Sequence, residues 1–310
     1  MNKTHIVIRS IILKKLIELE HIPKALIEYA RENKVLYVLG LYDDRVRKTE
    51  AWMELERRHI AQKKSIIEVM ELTEKLGIRV LVVKTLKLFN YVPDDVDLLV
   101  IGDEDLQLLV NELLERGYFL RKKGAPEVTL RRVTSNTYVD LDIHTKMGAG
   151  PYEYIDKHYL WQRRVYIKLD YGDIAAPNDI DELLITAAHA VLKEFKVTLA
   201  DIIHVLSLPS LNKKAIHEAT LQAKGIGLSK PLKYLLRLAY QTALPSLKER
   251  KQHDINTSEF PCKVPMPIIV SAYLENLRYR LRAHRLRPVK ELTMIPSSKG
   301  IRALLRYIGL

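Results

Sequence analysis

Closely spaced acidic residues interrupt apolar runs at two places in this sequence. Asp95 and Asp97 stand one residue apart, and Asp140 and Asp142 repeat the pattern in a later apolar run. On a β-strand alternate side chains share a face, so Asp95 and Asp97 would lie roughly 7 Å apart. At an effective dielectric of about 20 their charges would repel by about 2 kcal/mol. Because a strand gains nothing from that repulsion, the pattern predicts a bound cation, with a divalent metal that carries a triphosphate as the candidate.

The segments around these acidic residues are predicted to form an α/β core. Residues 79–83 and 96–101 are short apolar runs rich in β-branched side chains, typical of buried strands. Residues 105–116 repeat leucine and valine at helical spacing. Residues 128–133 and 138–144 flank a turn-like Thr-Ser-Asn triplet, which predicts a hairpin.

Helices are predicted on both sides of this core. The N-terminal quarter is helical in pattern, and its long segment 48–76 should end at Gly77. After residues 148–151 the chain is predicted to return to helix. Asp179 with Glu182 three residues later resembles a capping box that opens one such helix. We therefore divide the chain into an N-terminal helical region, an α/β core and a basic helical domain: 1–77, 78–170 and 171–310.

Composition favours a folded protein of the cell interior. Of 310 residues, 47% are hydrophobic and 28% are charged, which is ordinary for a globular chain. Cys262 is the only cysteine, which excludes a disulfide framework and a thiolate metal cluster. The apolar stretch 6–13 is interrupted by Arg9 and is too short to span a membrane. These features predict a cytoplasmic protein with no membrane segment.

The charge of the chain favours a polyanionic partner. The formal net charge is +12 at pH 7 and the isoelectric point is near 9.5, and basic surfaces attract phosphate. The segment from Arg278 to the end contains nine basic residues and one acidic residue, Glu291. Two interpretations stay open for this run: a solvated helical face, or a surface that binds RNA.

Five short motifs, taken in order, resemble the β-polymerase-type nucleotidyltransferase superfamily. The resemblance covers residues 65–205 and is strongest to a large, poorly characterised branch of that superfamily. It implies an α+β fold, with a nucleotidyltransferase-type mixed sheet core, N-terminal helices and a C-terminal helical domain. The motifs are Lys84-Thr85, Asp95-Val96-Asp97-Leu98-Leu99-Val100, Asp142-Ile143-His144, Leu160-Trp161-Gln162-Arg163, and a helix from Leu183 to Ala188-His189-Ala190.

The resemblance implies metal-dependent transfer of a nucleoside monophosphate from an NTP, such as ATP, to an acceptor hydroxyl, with release of pyrophosphate. The acceptor would be RNA, a small molecule or a protein. Asp95, Asp97 and a third carboxylate would bind Mg²⁺ or Mn²⁺ and carry the catalysis. The third carboxylate is predicted as Asp142, where the Asp-hydrophobic-His pattern matches, with Asp140 as a reserve metal ligand. Three residues are predicted to bind phosphate: Lys84, Thr85 and Arg131.

The Lys84-Thr85 turn departs from the superfamily pattern. That pattern has Gly-Ser or Gly-Gly, whose small residues let backbone N–H groups approach a triphosphate. Here Thr85 offers a hydroxyl and Lys84 a point charge instead. Two alternatives to an ordinary enzyme therefore stay open. One is a catalytically inactive module that binds or regulates, and the other is the toxin-like half of a two-protein system.

Overall fold

A mixed five-stranded sheet lies at the centre of the computed structural model. The structure describes residues 7, 11, 20–87, 89–124, 127–134, 137–149, 152–169, 172–207, 213–247 and 260–284. In spatial order the strands are β1 (Val80–Val83), β2 (Val96–Val100), β5 (Tyr138–His144), β4 (Glu127–Val133) and β3 (Phe119–Gly124). Strands β2 and β5 are parallel, and every other neighbouring pair is antiparallel. With helices on both sides in the sequence, the fold confirms the predicted α+β class.

Four described helices precede the sheet: α1 (Lys24–Glu32), α2 (Leu36–Tyr42), α3 (Asp44–Arg47) and α4 (Glu50–Leu76). Helix α4 begins where the Thr49 hydroxyl accepts a hydrogen bond from the Trp52 N–H at 3.3 Å. It ends at Gly77, whose φ of +67° lies in the left-handed region that glycine adopts without strain. The helix predicted for residues 48–76 is therefore confirmed.

The connections within the sheet follow the predicted pattern. Helix α5 (Asp105–Glu115) leads from β2 to β3 and confirms the helix predicted there. Strands β4 and β5 form the predicted hairpin, with Thr129 opposite Asp142 and Arg131 opposite Asp140. The parallel pairing of β2 with β5 places Asp97 opposite Asp142. The two acidic motifs thus meet on neighbouring strands.

Two hairpins separate the sheet from the later helices. They comprise β6 (Met147–Ala149) with β7 (Tyr152–Ile155), and β8 (Val165–Leu169) with β9 (Gly172–Ala176), joined by α6 (Lys157–Gln162). The prediction of helix directly after residues 148–151 is therefore wrong. Strands of three to five residues carry too few side chains to show a clear period of two. A Cβ on Gly148 would lie 2.0 Å from the Tyr152 carbonyl oxygen, so the first hairpin requires glycine there.

The C-terminal part is mostly helical. Its elements are α7 (Asp179–His189), a π-helical turn (Ala190–Glu194), β10 (Lys196–Val197), α8 (Leu199–Ser207), α9 (Lys213–Gly225), α10 (Ser229–Leu247), β11 (Cys262–Lys263) and α11 (Met266–His284). The Asn178 side chain caps α7 by accepting the Asp181 N–H at 3.0 Å. The predicted capping box of Asp179 and Glu182 is therefore wrong, and Glu182 has another role.

Two hydrophobic clusters cover the two faces of the sheet. On one face Leu98 and Leu141 pack against α4 and α5. On the other face Leu99 belongs to a cluster that continues through α1, α2, α7, α8 and α10. Asp97 and Asp142 lie on this second face because side chains alternate along a strand. The acidic residues are therefore directed towards the C-terminal helices. The division at residues 77 and 170 stays a prediction.

The basic C-terminal run is described only as far as His284. Within that part Arg280 is 3% exposed and lies over the Tyr152 ring at 5.2 Å, with the Glu153 carboxylate 3.9 Å away. Arg280 thus packs in the interior and does not belong to an exposed basic surface. The predicted run beyond His284 lies outside the described residues. Among the helices of the described ranges, none is both long and apolar enough to cross a membrane.

His204 on α8 gives a prediction about pH and stability. It is 1% exposed, and neither ring nitrogen has a hydrogen-bond partner among the described residues. Burial, with the charge of Lys87, holds its pKa well below the usual 6.5. Between the folded and unfolded pKa values the unfolded chain binds more protons, so stability is lost as the pH falls below about 6.5.

We expect His204→Leu to be more stable than wild type at about pH 5.5 and to lose less stability than wild type between about pH 7.5 and 5.5. The contribution of His204 to the wild-type loss should approach about 1.4 kcal/mol for each pH unit below 6.5. Urea unfolding at both pH values measures the difference. The exposed His158 provides a matched control, because His158→Leu should keep the wild-type pH dependence. An unchanged pH dependence in His204→Leu would contradict this interpretation.

Candidate active site

The two residues of the turn after β1, Lys84 and Thr85, both contact Asp97 through their side chains. Lys84 adopts φ +57°, an unusual backbone conformation for a residue with a side chain. Its ammonium group contacts the Asp97 carboxylate directly. The Asp97 N–H donates to the Thr85 hydroxyl at 2.9 Å. Strained backbone of this kind is concentrated at functional sites, so the turn is a candidate part of one.

Asp97, Asp142 and His144 converge on neighbouring strands. The His144 Nε2 lies 2.7 Å from Asp97 Oδ1, and the Thr129 hydroxyl donates to Asp142 Oδ1 at 2.6 Å. One possible ligand atom from each of the three converging residues lies within 4.8 Å of the others. This group could hold a metal ion.

The carboxylates of the site have unequal proton affinities. Burial alone would raise the pKa of Asp97, but the Lys84 ammonium and the hydrogen bond from His144 hold it well below its usual range. The pKa of Asp95 is raised to about 8 by burial and by the charges of Asp97 and Asp142. Like charges that cannot all be neutralised by the protein are relieved by a bound cation. The electrostatics therefore fit the cation that the sequence predicted.

Asp140 and Arg131 share this sheet face but form an ion pair of their own. Arg131 donates from Nε and Nη2 to the two oxygens of Asp140 at 2.6 and 2.8 Å, and Arg121 contacts the same carboxylate. Neither Asp140 nor Arg131 lines the cleft described below. The register of β4 and β5 thus favours Asp142 over Asp140 as the third carboxylate. It also gives the Arg131 guanidinium a carboxylate partner where a phosphate contact had been predicted.

The acidic cluster opens into a cleft of about 240 Å³ between the sheet and the C-terminal helices. One wall carries Asp95, Asp97 and Asp142, and the other is formed by α7 and the π-helical turn. Asp94 also lines this cleft and pairs at 2.7 Å with Lys34. Five lysines line it: Lys34, Lys84, Lys87, Lys193 and Lys196. Carboxylates and lysines therefore share one cavity.

Residues 41–243, more than half of the chain, match a family described as uncharacterised nucleotidyltransferases. This chain belongs to that nucleotidyltransferase family. The match confirms the family predicted from the five motifs. It spans the sheet, α7 and every residue that lines the cleft except Lys34. No curated protein matches the sequence.

Helix α7 and the π-helical turn after it carry a polar face that sequence reasoning missed. Glu182 is buried, its Oε2 lies 3.5 Å from the Lys84 N–H, and burial raises its pKa to about 7. Thr186, His189 and Lys193 follow Glu182 at intervals of four, three and four residues, which places all four on one helical face. In the sequence, these four polar residues recur at helical spacing among apolar ones, and that pattern could have predicted the polar face.

An ion pair with the buried Asp181 positions α7. Asp181 is fully buried and accepts hydrogen bonds from Arg163 Nε at 3.1 Å and Asn178 Nδ2 at 2.8 Å, with Gln222 as a further donor. Arg163 also donates to the Gln222 side chain at 2.8 Å. The arginine of the fourth motif therefore anchors the helix that forms one wall of the cleft.

Proposed function

We propose that this protein transfers a nucleoside monophosphate from an NTP to an acceptor hydroxyl and releases pyrophosphate, in a reaction that requires Mg²⁺ or Mn²⁺. The observation that carries this proposal is the convergence of Asp95, Asp97 and Asp142 inside a cleft lined by lysines. Carboxylates bind divalent cations and lysines bind phosphates. The two groups of side chains therefore match the metal ion and the triphosphate of a metal-bound NTP. ATP is one such substrate.

The donor set fits these ions. Carboxylate oxygens are the ligands that Mg²⁺ and Mn²⁺ prefer, and we assign Asp95, Asp97 and Asp142 to this role. Asp140 is a weaker candidate because Arg131 already neutralises it. When bound, the ion would neutralise phosphate charge and lower the pKa of the acceptor hydroxyl.

Neighbouring side chains fix the carboxylates of the cluster by hydrogen bonds, and one carboxylate accepts the proton of the acceptor hydroxyl. His144 fixes Asp97, and Thr129 fixes Asp142. We assign Asp142, the third carboxylate, as the acceptor of the hydroxyl proton. Lys84 supplies a positive charge beside Asp97 for the transferred phosphate. The Thr85 hydroxyl also lies next to Asp97, where it accepts the Asp97 N–H.

The net charge of +12 supports RNA or another polyanion as the acceptor. The single cysteine supports a reducing compartment, and a cytoplasmic location stays a prediction from sequence.

Transfer of label from each α-³²P-labelled NTP tests the proposal. The protein, with Mg²⁺ or Mn²⁺, is added to a lysate that is then separated into RNA, protein and small-molecule fractions. We expect label in one fraction with wild type and none with Asp142→Asn. That fraction names the acceptor class, including the partner protein expected of a toxin-like system. Equal labelling by wild type and Asp142→Asn would contradict the assignment.

A second candidate is a nucleotidyltransferase-fold module that binds NTP without turnover. The glycine-free turn favours it, since Lys84 takes a strained conformation and its ammonium contacts Asp97. NTP binding that depends on Mg²⁺, with no transfer from any NTP, would support this candidate over the enzyme.

A further inference from the structure

The backbone N–H groups of Lys84 and Thr85, in the turn after β1, are not available to bind a phosphate. The Thr85 N–H donates to the Val83 carbonyl at 2.6 Å. The Lys84 N–H is directed at Glu182 Oε2, 3.5 Å away. A turn binds an anion through N–H groups that point out of it together, and both of these are engaged within the protein. A triphosphate in this cleft therefore needs donors from another wall.

The wall formed by α7 carries polar groups whose hydrogen-bonding capacity is not used. The Thr186 hydroxyl is buried, with 4% of the residue exposed, and has no partner among the described residues. The Nδ1 of His189 is buried and likewise lacks a partner within the described ranges. Both residues line the cleft. Because buried polar groups are nearly always hydrogen-bonded, these two indicate a ligand in the cleft.

The lysines of the cleft divide into two groups. Lys34 pairs with Asp94 at 2.7 Å, and Lys84 contacts Asp97. The other three form no ion pair with any residue that the structure describes: Lys87, Lys193 and Lys196. The second group leaves positive charge available to an anionic ligand.

Lys193 is the member of this second group that shares a helical face with Thr186 and His189. It follows them by seven and four residues, within the π-helical turn Ala190–Glu194. Turns of this kind occur frequently at functional sites. Burial and the Lys84 charge lower the pKa of Lys193, and a bound anion would relieve both effects.

Two acidic residues near this wall, Glu194 and Asp201, make contacts within the protein, whereas the buried Oε1 of Glu182 has no partner among the described residues. Glu194 lies 3.5 Å from the Nε2 of His189, so the Nδ1 of the same ring stays available. Asp201 accepts the Thr198 N–H at 2.9 Å and the Thr198 hydroxyl at 2.7 Å. These contacts reduce the repulsion that an incoming phosphate would meet.

We propose that Thr186, His189 and Lys193 form the subsite for the β- and γ-phosphates of the nucleotide, in place of the turn after β1. This assignment rests on the proposed function and names the side chains that hold its substrate. The lysine contributes a point charge, and the hydroxyl and imidazole contribute hydrogen bonds to phosphate oxygens. Lys87, across the cleft, adds a further positive charge.

Binding of inorganic tripolyphosphate tests the subsite without requiring turnover. We would measure it by isothermal titration calorimetry with the full chain, both with and without Mg²⁺. Lys193→Ala should weaken binding by about tenfold or more, because a hydrogen bond to a charged group is lost. Thr186→Val keeps the shape of the side chain and should weaken binding by about fivefold.

Two matched variants control for charge and for folding. Lys233→Ala removes an exposed lysine of α10 outside the cleft and should bind tripolyphosphate like wild type. Thr73→Val removes a buried hydroxyl of α4, which donates to the Met70 carbonyl, and should also leave binding unchanged. The melting temperature of Thr186→Val is measured alongside, and a folded variant with weaker binding supports the subsite.

The outcomes separate this subsite from the proposed reaction. Tripolyphosphate binding that depends on Lys193, with no transfer from any NTP, would support the subsite and contradict the reaction. Transfer by wild type, with tripolyphosphate bound equally by Lys193→Ala and Thr186→Val, would overturn the subsite and leave the reaction intact. Absence of tripolyphosphate binding to wild type under both conditions would also overturn the subsite.

Discussion

Asp97→Asn is expected to lower the rate of nucleotidyl transfer by about a thousandfold. The proposed ion stabilises the transition state by several kcal/mol, and about 4 kcal/mol corresponds to a factor of about a thousand. Asp97 contacts both Lys84 and His144 and lies opposite Asp142 in the strand register, so its charge is central to the cluster. Initial rates with labelled NTP and Mg²⁺ measure the effect.

A loss of folding has to be separated from a loss of chemistry in this experiment. Asp97→Asn leaves the Lys84 ammonium without its carboxylate partner, and that side chain is only 12% exposed, so the melting temperature should fall as well. Asp142→Asn removes no ion pair described in the structure and relieves repulsion of Asp95. It should be at least as stable as wild type in metal-free buffer and equally impaired in transfer. Wild-type rates in a folded Asp142→Asn would contradict the proposed site.

The exposed Asp173 on β9 provides the matched control for charge. Asp173→Asn makes the same chemical change outside the cleft and should keep the wild-type rate. It should also keep the increase in melting temperature that Mg²⁺ is expected to give wild type. We expect that increase to disappear in Asp97→Asn and Asp142→Asn.

Arg163→Ala is expected to lower the free energy of unfolding by about 3 kcal/mol. It removes a charged partner from the fully buried Asp181, and breaking such a pair costs about 3 to 5 kcal/mol. We take the lower end because the Arg163 side chain is 35% exposed and water can reach it. Urea unfolding measures the change. The neighbouring Arg164 stacks on the Trp161 ring at 4.0 Å, and Arg164→Ala should cost less than about 1 kcal/mol.

A double-mutant cycle tests the cause of this loss. If the buried charge of Asp181 is responsible, Asp181→Asn should cost less in the Arg163→Ala background than in wild type. Additive effects of the two substitutions would instead mean that Arg163 acts through Gln222 or through packing alone. Because Arg163 anchors the helix that carries Thr186 and Lys193, folded Arg163→Ala protein should also bind tripolyphosphate more weakly.

Local signals in the sequence were sufficient for much of the fold. The long helix α4 could be predicted from apolar spacing and from Gly77, and the hairpin of β4 and β5 from two apolar runs around a short turn. These signals depend on residues near one another in the chain. The hairpins β6–β7 and β8–β9 could not be predicted in the same way, because their strands are too short to show a period. The Asp179 cap was wrong because Asn178, one position earlier, offers the same type of oxygen.

By itself, the sequence determined the family and the presence of two acidic motifs on strands, because alternation and motif order are properties of the chain alone. Only the tertiary structure gave a reason to favour Asp142 over Asp140. That choice depends on strand register, which places Arg131 opposite Asp140 and Thr129 opposite Asp142. The tertiary structure also brought the polar face of α7, more than eighty residues from Asp97, to the acidic cluster. Contacts between distant segments depend on how the sheet and helices pack, and no local pattern in the sequence specifies that packing.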